Sequence, residues 1–174
     1  MLDRRTAIRR FLFLSAGITL LPACLHEENK PSIALKNLPV TGDQEKMLAD
    51  LAETILPRTD TPGARDLGAH LFTLKMADDC LGHDDQVRFM RGLEQFAGLA
   101  EKKAGRSFGE STPEQRNAVV GDLDSSGKGE DDLSFFYHTV KRYTLQAYTT
   151  GEYYMTRIRG YKMIPGVFQG CIPV

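Results

Sequence analysis

The 174-residue chain has no tryptophan and only three cysteines, Cys24, Cys80 and Cys171. No Cys-x-x-Cys pair is present, so the spacing of a thiol-exchange motif is missing. Its four histidines, His26, His70, His83 and His138, are widely spaced. They form no His-x-x-x-His or Glu-x-x-His pair that would put two metal ligands on one helical face, and each reads as a surface or boundary histidine. Alternating strand patterns are absent, so no glycine-rich phosphate loop follows a strand. The formal net charge of −1 leaves no overall basic excess for a nucleic acid. Beyond Leu21 no apolar run approaches the ~20 residues a bilayer requires.

What the chain does have begins at its first residues. Asp3-Arg4-Arg5-Thr6-Ala7-Ile8-Arg9-Arg10 is a charged opening, and Phe11 to Leu21 is a short apolar run kept mild by Ser15, Gly17 and Thr19. Leu21-Pro22-Ala23-Cys24 closes the run with small residues before a cysteine. A positive start, a run too short to span and a small-residue exit make an address rather than a membrane helix. Arg4-Arg5 followed by a polar and then apolar residues resembles a twin-arginine export signal. The ending resembles a lipobox, which would make Cys24 the lipidated first residue of the mature chain. The other reading takes the arginine pairs as ordinary charge and the cysteine as incidental. The expected organisation is a signal over 1–24, a polar tether over 25–42 broken by Pro31 and Pro39, and a folded domain over 43–174. The twin-arginine route carries cargo already folded, often around a cofactor, so the signal raises the question of where that cofactor lies.

From Asp43 onward the apolar spacing is helical. Met47, Leu48, Leu51 and Ile55 share one face before Pro57; Leu67, Leu71, Leu74 and Ala77 recur at threes and fours after a turn; Phe89, Leu93, Phe96 and Ala100 do so before Gly105. Thr112-Pro113-Glu114-Gln115 is a helix start with a capping box and Pro at the first position. Leu133, Phe136, Val140, Tyr143 and Ala147 mark the most regular amphipathic helix. The expected fold is an all-α, irregular bundle of about five helices with an extended C-terminal tail. About 150 residues remain after Cys24, enough for one core without metal or disulfide.

Candidate chemistry is sparse. Asp78-Asp79 and Asp84-Asp85 flank Cys80-Leu81-Gly82-His83, and read as solvated acids at a helix end and start rather than a metal cluster. The loop after Asp124 fails as a calcium loop, with Lys128 and Phe135 at positions that need oxygen ligands. No catalytic, cofactor-binding or metal residue is assigned. Cys80, at a helix end, is expected to be a buried small hydrophobe. Cys171 in the irregular tail is open to three fates: a bridge to Cys80, a bridge to a partner, or a free thiol. The aromatic segment with Tyr148, Tyr153, Tyr154, Tyr161 and Phe168 either wraps the bundle or forms an interface, where Tyr, Met and Arg are enriched.

Three blocks carry a resemblance. They are Ile55-Leu56-Pro57-Arg58-Thr59-Asp60-Thr61-Pro62-Gly63-Ala64-Arg65, Tyr148-Thr149-Thr150-Gly151-Glu152, and Tyr161-Lys162-Met163-Ile164-Pro165-Gly166-Val167-Phe168-Gln169-Gly170-Cys171. Together they resemble the gluconate 2-dehydrogenase subunit 3 family over nearly the whole chain. The resemblance implies a small, non-catalytic helical subunit of a membrane-associated sugar or polyol dehydrogenase. It implies that FAD sits in a large partner of the glucose–methanol–choline type, with a multihaem cytochrome c often completing the complex. The family signal usually has Phe and Leu where this chain has Ala7 and Ile8. On this reading the cofactor belongs to the partner, Tyr161, Pro165, Gly166, Phe168 and Cys171 are candidate partner contacts, and Arg4 and Arg5 serve export; periplasm-side anchoring at Cys24 rests on this chain's own lipobox-like ending, which the family does not require. A free-standing envelope lipoprotein that binds a ligand or another envelope protein is the alternative.

Overall fold

The computed structural model describes residues 29–127, 129–164 and 166, and the fold below is that of the unit beginning at Pro31. Five α-helices follow one another: α1 Gly42–Ile55, α2 Ala69–Cys80, α3 His83–Ala104, α4 Pro113–Ser125 and α5 Asp132–Thr150. No strand occurs among the described residues.

Local chemistry fixes the helix ends. Thr41 caps α1 with a reciprocal box: Gln44 N donates to Thr41 Oγ1 (3.3 Å), and Thr41 N donates to Gln44 Oε1 (2.9 Å). Thr112 and Gln115 do the same for α4 (3.3 and 3.0 Å), behind Pro113 at the first position. Asp131 caps α5 through Ser134 N (3.0 Å). Gly105, at φ 69°, ends α3 in the left-handed conformation, which glycine adopts without a Cβ penalty.

The core is built on α3 and α5. Phe89, Phe96 and Phe136 are fully buried, with ring centroids 5.1 Å (Phe89–Phe136) and 5.7 Å (Phe96–Phe136) apart, and Phe108 meets Phe96 edge-on at 5.0 Å. Leu48 and Leu51 from α1, Leu74 from α2 and Val119 from α4 complete it. Each such side chain contributes ~1.5–3 kcal/mol by leaving water. Gly92 lets α3 and α5 approach so closely that a Cβ there would run into the Asp132 carbonyl and Phe136 Cβ.

Residues 33–40 depart from the expected tether. Leu38 and Val40 are buried in the core, Ile33 and Leu35 pack against it, and the chain before α1 is a strap on the domain. Asp78 holds it: its carboxylate accepts from the backbone N–H groups of Lys36 (2.8 Å), Asn37 (2.7 Å) and Leu38 (2.9 Å). Asn37 Nδ2 and Gln86 Nε2 both donate to the Asp78 carbonyl (2.9 and 2.8 Å). Asp78 is therefore a buried structural acid, not a solvated turn residue. Burial opposes its ionisation, but the three backbone donors and Lys75 outweigh that and hold the carboxyl below its usual range. The folded domain begins at the strap, before residue 43.

Candidate functional site

The sequence block around Pro57 forms a braced loop between α1 and α2. Glu53, in the last turn of α1, accepts from the backbone N–H of Arg58 (3.0 Å) and of Arg65 (2.8 Å). Asp66 accepts from Gly63 N (3.2 Å) and pairs with Arg58 (3.5 Å), while Ala64 N donates to the Leu56 carbonyl (2.9 Å). Gly63 is required by space: a Cβ would lie 2.5 Å from Glu53 Oε1 and 2.7 Å from Arg58 N. The loop thus holds one shape while Pro57, Arg58, Thr59 and Asp60 stay exposed. Below it, Asp50 accepts from Arg65 and from Arg116 (3.0 Å to the latter), and Arg116 also donates to the Phe108 carbonyl (2.9 Å), tying the loop to α4.

Ala147 of α5 packs against a second apolar cluster, Ala52, Ala64 and Ala69. The Pro57 block, through Ala64, therefore meets α5 immediately before the Tyr148–Glu152 block. Gly151 ends α5, and a Cβ there would sit 2.8 Å from the Ala147 carbonyl. Tyr148 packs against Tyr154 (5.5 Å between centroids) and Tyr153 (6.5 Å). The chain then takes a wide π-type turn over Tyr154–Ile158, with Arg159 N donating to the Tyr154 carbonyl (2.9 Å). Gly160, at φ 63°, reverses the chain, and Tyr161 N donates to the Met155 carbonyl (2.8 Å). The expected extended tail is hydrogen-bonded as far as Tyr161.

The aromatic segment divides. Tyr148, Tyr153 and Tyr154 are half-buried on one another, whereas Ile158 and Tyr161 are half-exposed and Met163 and Ile164 are more than four-fifths exposed. Gly166 is exposed at φ 73°. Of the other candidate contacts, Pro165, Phe168 and Cys171 lie outside the described residues, as do Arg4, Arg5 and Cys24. Cys80 is exposed rather than buried: it sits on the last position of α2, where the core-facing stripe has already ended at Ala77, and its Sγ reaches only Met76 Sδ (4.0 Å).

Surface depressions occur among the described residues. A depression of about 480 Å³ along α5 includes Ser134 and His138, but both bond to the Gly127 carbonyl (3.3 and 3.0 Å). A second, of about 500 Å³, lies between Met47, Ala97 and Phe108. Tyr137 donates to Asp124 (2.8 Å) beside Lys141, and burial followed by that carboxylate raises its phenol well above the ordinary range. His70 is half-buried; burial lowers its pKa, Glu45 opposes that, and the Arg65 charge adds to the lowering. Among the described residues no three His, Cys, Asp or Glu side chains are grouped to hold a metal, and no helix is long and apolar enough to cross a membrane.

Sequence reasoning missed the strap and its Asp78 anchor. It also missed the Thr41–Gln44 capping box, although Thr-x-x-Gln before an apolar run is a readable signal. The family model described as Gluconate 2-dehydrogenase subunit 3 matches residues 42–166, a span that includes both structured blocks and the exposed segment after them. Neither the curated proteins nor the solved structures contain a match to the chain. The chain belongs to the gluconate 2-dehydrogenase subunit 3 family, the accessory subunits of dehydrogenase complexes.

Proposed function

We propose that this accessory subunit serves a periplasm-facing, FAD-dependent sugar or polyol dehydrogenase of the glucose–methanol–choline type. It escorts the folded, flavin-loaded large subunit through the twin-arginine pathway and then holds it at the membrane through lipidated Cys24. A multihaem cytochrome c is the third member and takes the electrons. The observation that carries this reading is an Arg4-Arg5 pair before a mild apolar run, which resembles a twin-arginine signal, on a chain that belongs to a family of dehydrogenase accessory subunits. Substrate oxidation belongs to the flavin of the large subunit. This chain contributes no reacting group; it contributes an address, an anchor and a docking surface. Purification through a tag on this chain tests the assignment. The expected product is a flavin-containing complex that oxidises a sugar or polyol with an artificial acceptor; recovery of the chain alone, with the flavoprotein active elsewhere, contradicts it.

A further inference from the structure

The segment after α5 differs from the rest of the surface in two ways. Ile158, Tyr161, Met163 and Ile164 are 50%, 55%, 84% and 83% exposed, and they supply four of the six large exposed hydrophobic side chains found among the described residues. Just before them stands Arg157, and between them Arg159 and Lys162; the three form no ion pair among the described residues, and no Asp or Glu occurs anywhere from Tyr153 to Val174. Elsewhere Arg58, Arg65, Arg88, Arg116, Lys103 and Lys141 each have a carboxylate partner, whereas Lys36, Lys102, Arg106 and Arg142 have none either among the described residues; the segment stands out by holding three such cations between residues 157 and 162. A chain of net charge −1 thus concentrates three unneutralised cations and most of the large exposed apolar side chains of the described residues in one strip.

We propose that the strip 157–164 docks onto an acidic face of the dehydrogenase large subunit that has an apolar centre, the cations setting orientation and the apolar side chains residence. This rests on the reading that a large subunit binds this chain. Arg, Tyr and Met are the side chains enriched at protein interfaces, and clustered exposed apolar groups mark contact sites on subunits. The strip also lies inside the span that matches the family. A lipid surface fits less well. Apart from the turn ending at Tyr161, the strip is not a regular amphipathic helix, and irregular backbone carries donors and acceptors that hydrocarbon leaves unsatisfied. Complementary charge acts mainly on encounter and register, so assembly through this strip is sensitive to salt.

The test uses the co-expressed complex, with R157E/R159E/K162E in one variant and M163A/I164A in another. Helical content of each purified variant is compared with wild type, and R159E alone serves if the triple variant misfolds. The charge-reversed variant is expected to retain less than about a tenth of the wild-type large subunit at low salt. M163A/I164A is expected to assemble but dissociate about tenfold faster. Wild-type retention by every variant, from a wild-type complex that forms, overturns the strip and leaves the accessory role standing. Absence of a wild-type complex overturns both. Vesicles of phosphatidylglycerol and phosphatidylcholine supply the other arm: if charge reversal abolishes vesicle binding and leaves the complex intact, the strip is a membrane surface and the proposal is wrong.

Discussion

Glu53 and Gly63 are ten residues apart in sequence and in contact in the fold, with no room between them for a Cβ. The carboxylate occupies the place of a side chain and uses it to hold two backbone N–H groups, those of Arg58 and Arg65. A proline- and threonine-rich loop is given one shape in this way without being buried.

Gly63→Ala should therefore cost about 1–3 kcal/mol, because Glu53 can retreat only by giving up its backbone donors, and the Arg58 backbone cannot retreat cheaply. Urea unfolding should show a lower midpoint with an unchanged slope. Glu53→Ala in the Gly63→Ala background should add little, since both changes break the same brace.

Gly92→Ala probes the tightest approach in the core. The obstacles are the Asp132 backbone and Phe136, neither of which can swing aside, so α3 and α5 must separate. A loss of about 1–3 kcal/mol is expected. Gly98, on the same helix but with open space where its Cβ would go, is the control; Gly98→Ala should stabilise by ~0.5–1 kcal/mol through helix propensity.

Asp78 makes stability depend on pH in a definite direction. Its carboxyl is held below the usual range in the fold, so the unfolded chain binds more protons and stability rises with pH. The contribution is fully present above the ordinary carboxylate value of about 4 and is lost as pH falls through the lower folded value. Asp78→Ala should cost about 1–3 kcal/mol at neutral pH, flatten the acid limb of an unfolding series, and open residues 33–40 to proteolysis.

How much of this was legible in the sequence depends on the range of the interactions. The five helices follow from apolar spacing and local caps, and Pro113 with Thr112 and Gln115 announced α4 because every partner lies within three residues. Asp78 could not be read that way: its partners are about forty residues upstream, and an Asp-Asp pair at a helix end looks the same whether solvated or buried. Cys80 was misplaced for a related reason, since the helical stripe fixes Leu74 and Ala77 inward and says little about the last position of the helix. The candidate contacts were legible as composition, Tyr161 among them, but the segregation of three unpaired cations with Ile158, Met163 and Ile164 needed the exposures.

The fate of Cys171 follows from the proposed docking. With the tail against the large subunit, Cys171 is expected to form a disulfide with that partner, making the complex insensitive to dilution. Non-reducing electrophoresis should give a band at the combined mass that collapses with reductant and disappears in Cys171→Ser but not in Cys80→Ser. A lone small subunit whose mobility changes on reduction would show an internal Cys80–Cys171 bridge instead.

If this chain supplies the export address of the flavoprotein, as proposed, replacing Arg4 and Arg5 by Lys should leave flavin-loaded, active large subunit stranded in the cytoplasm. Assays of cytoplasmic and periplasmic fractions should then show periplasmic dehydrogenase activity reduced at least about tenfold. Normal periplasmic activity in that strain would rule out the escort role.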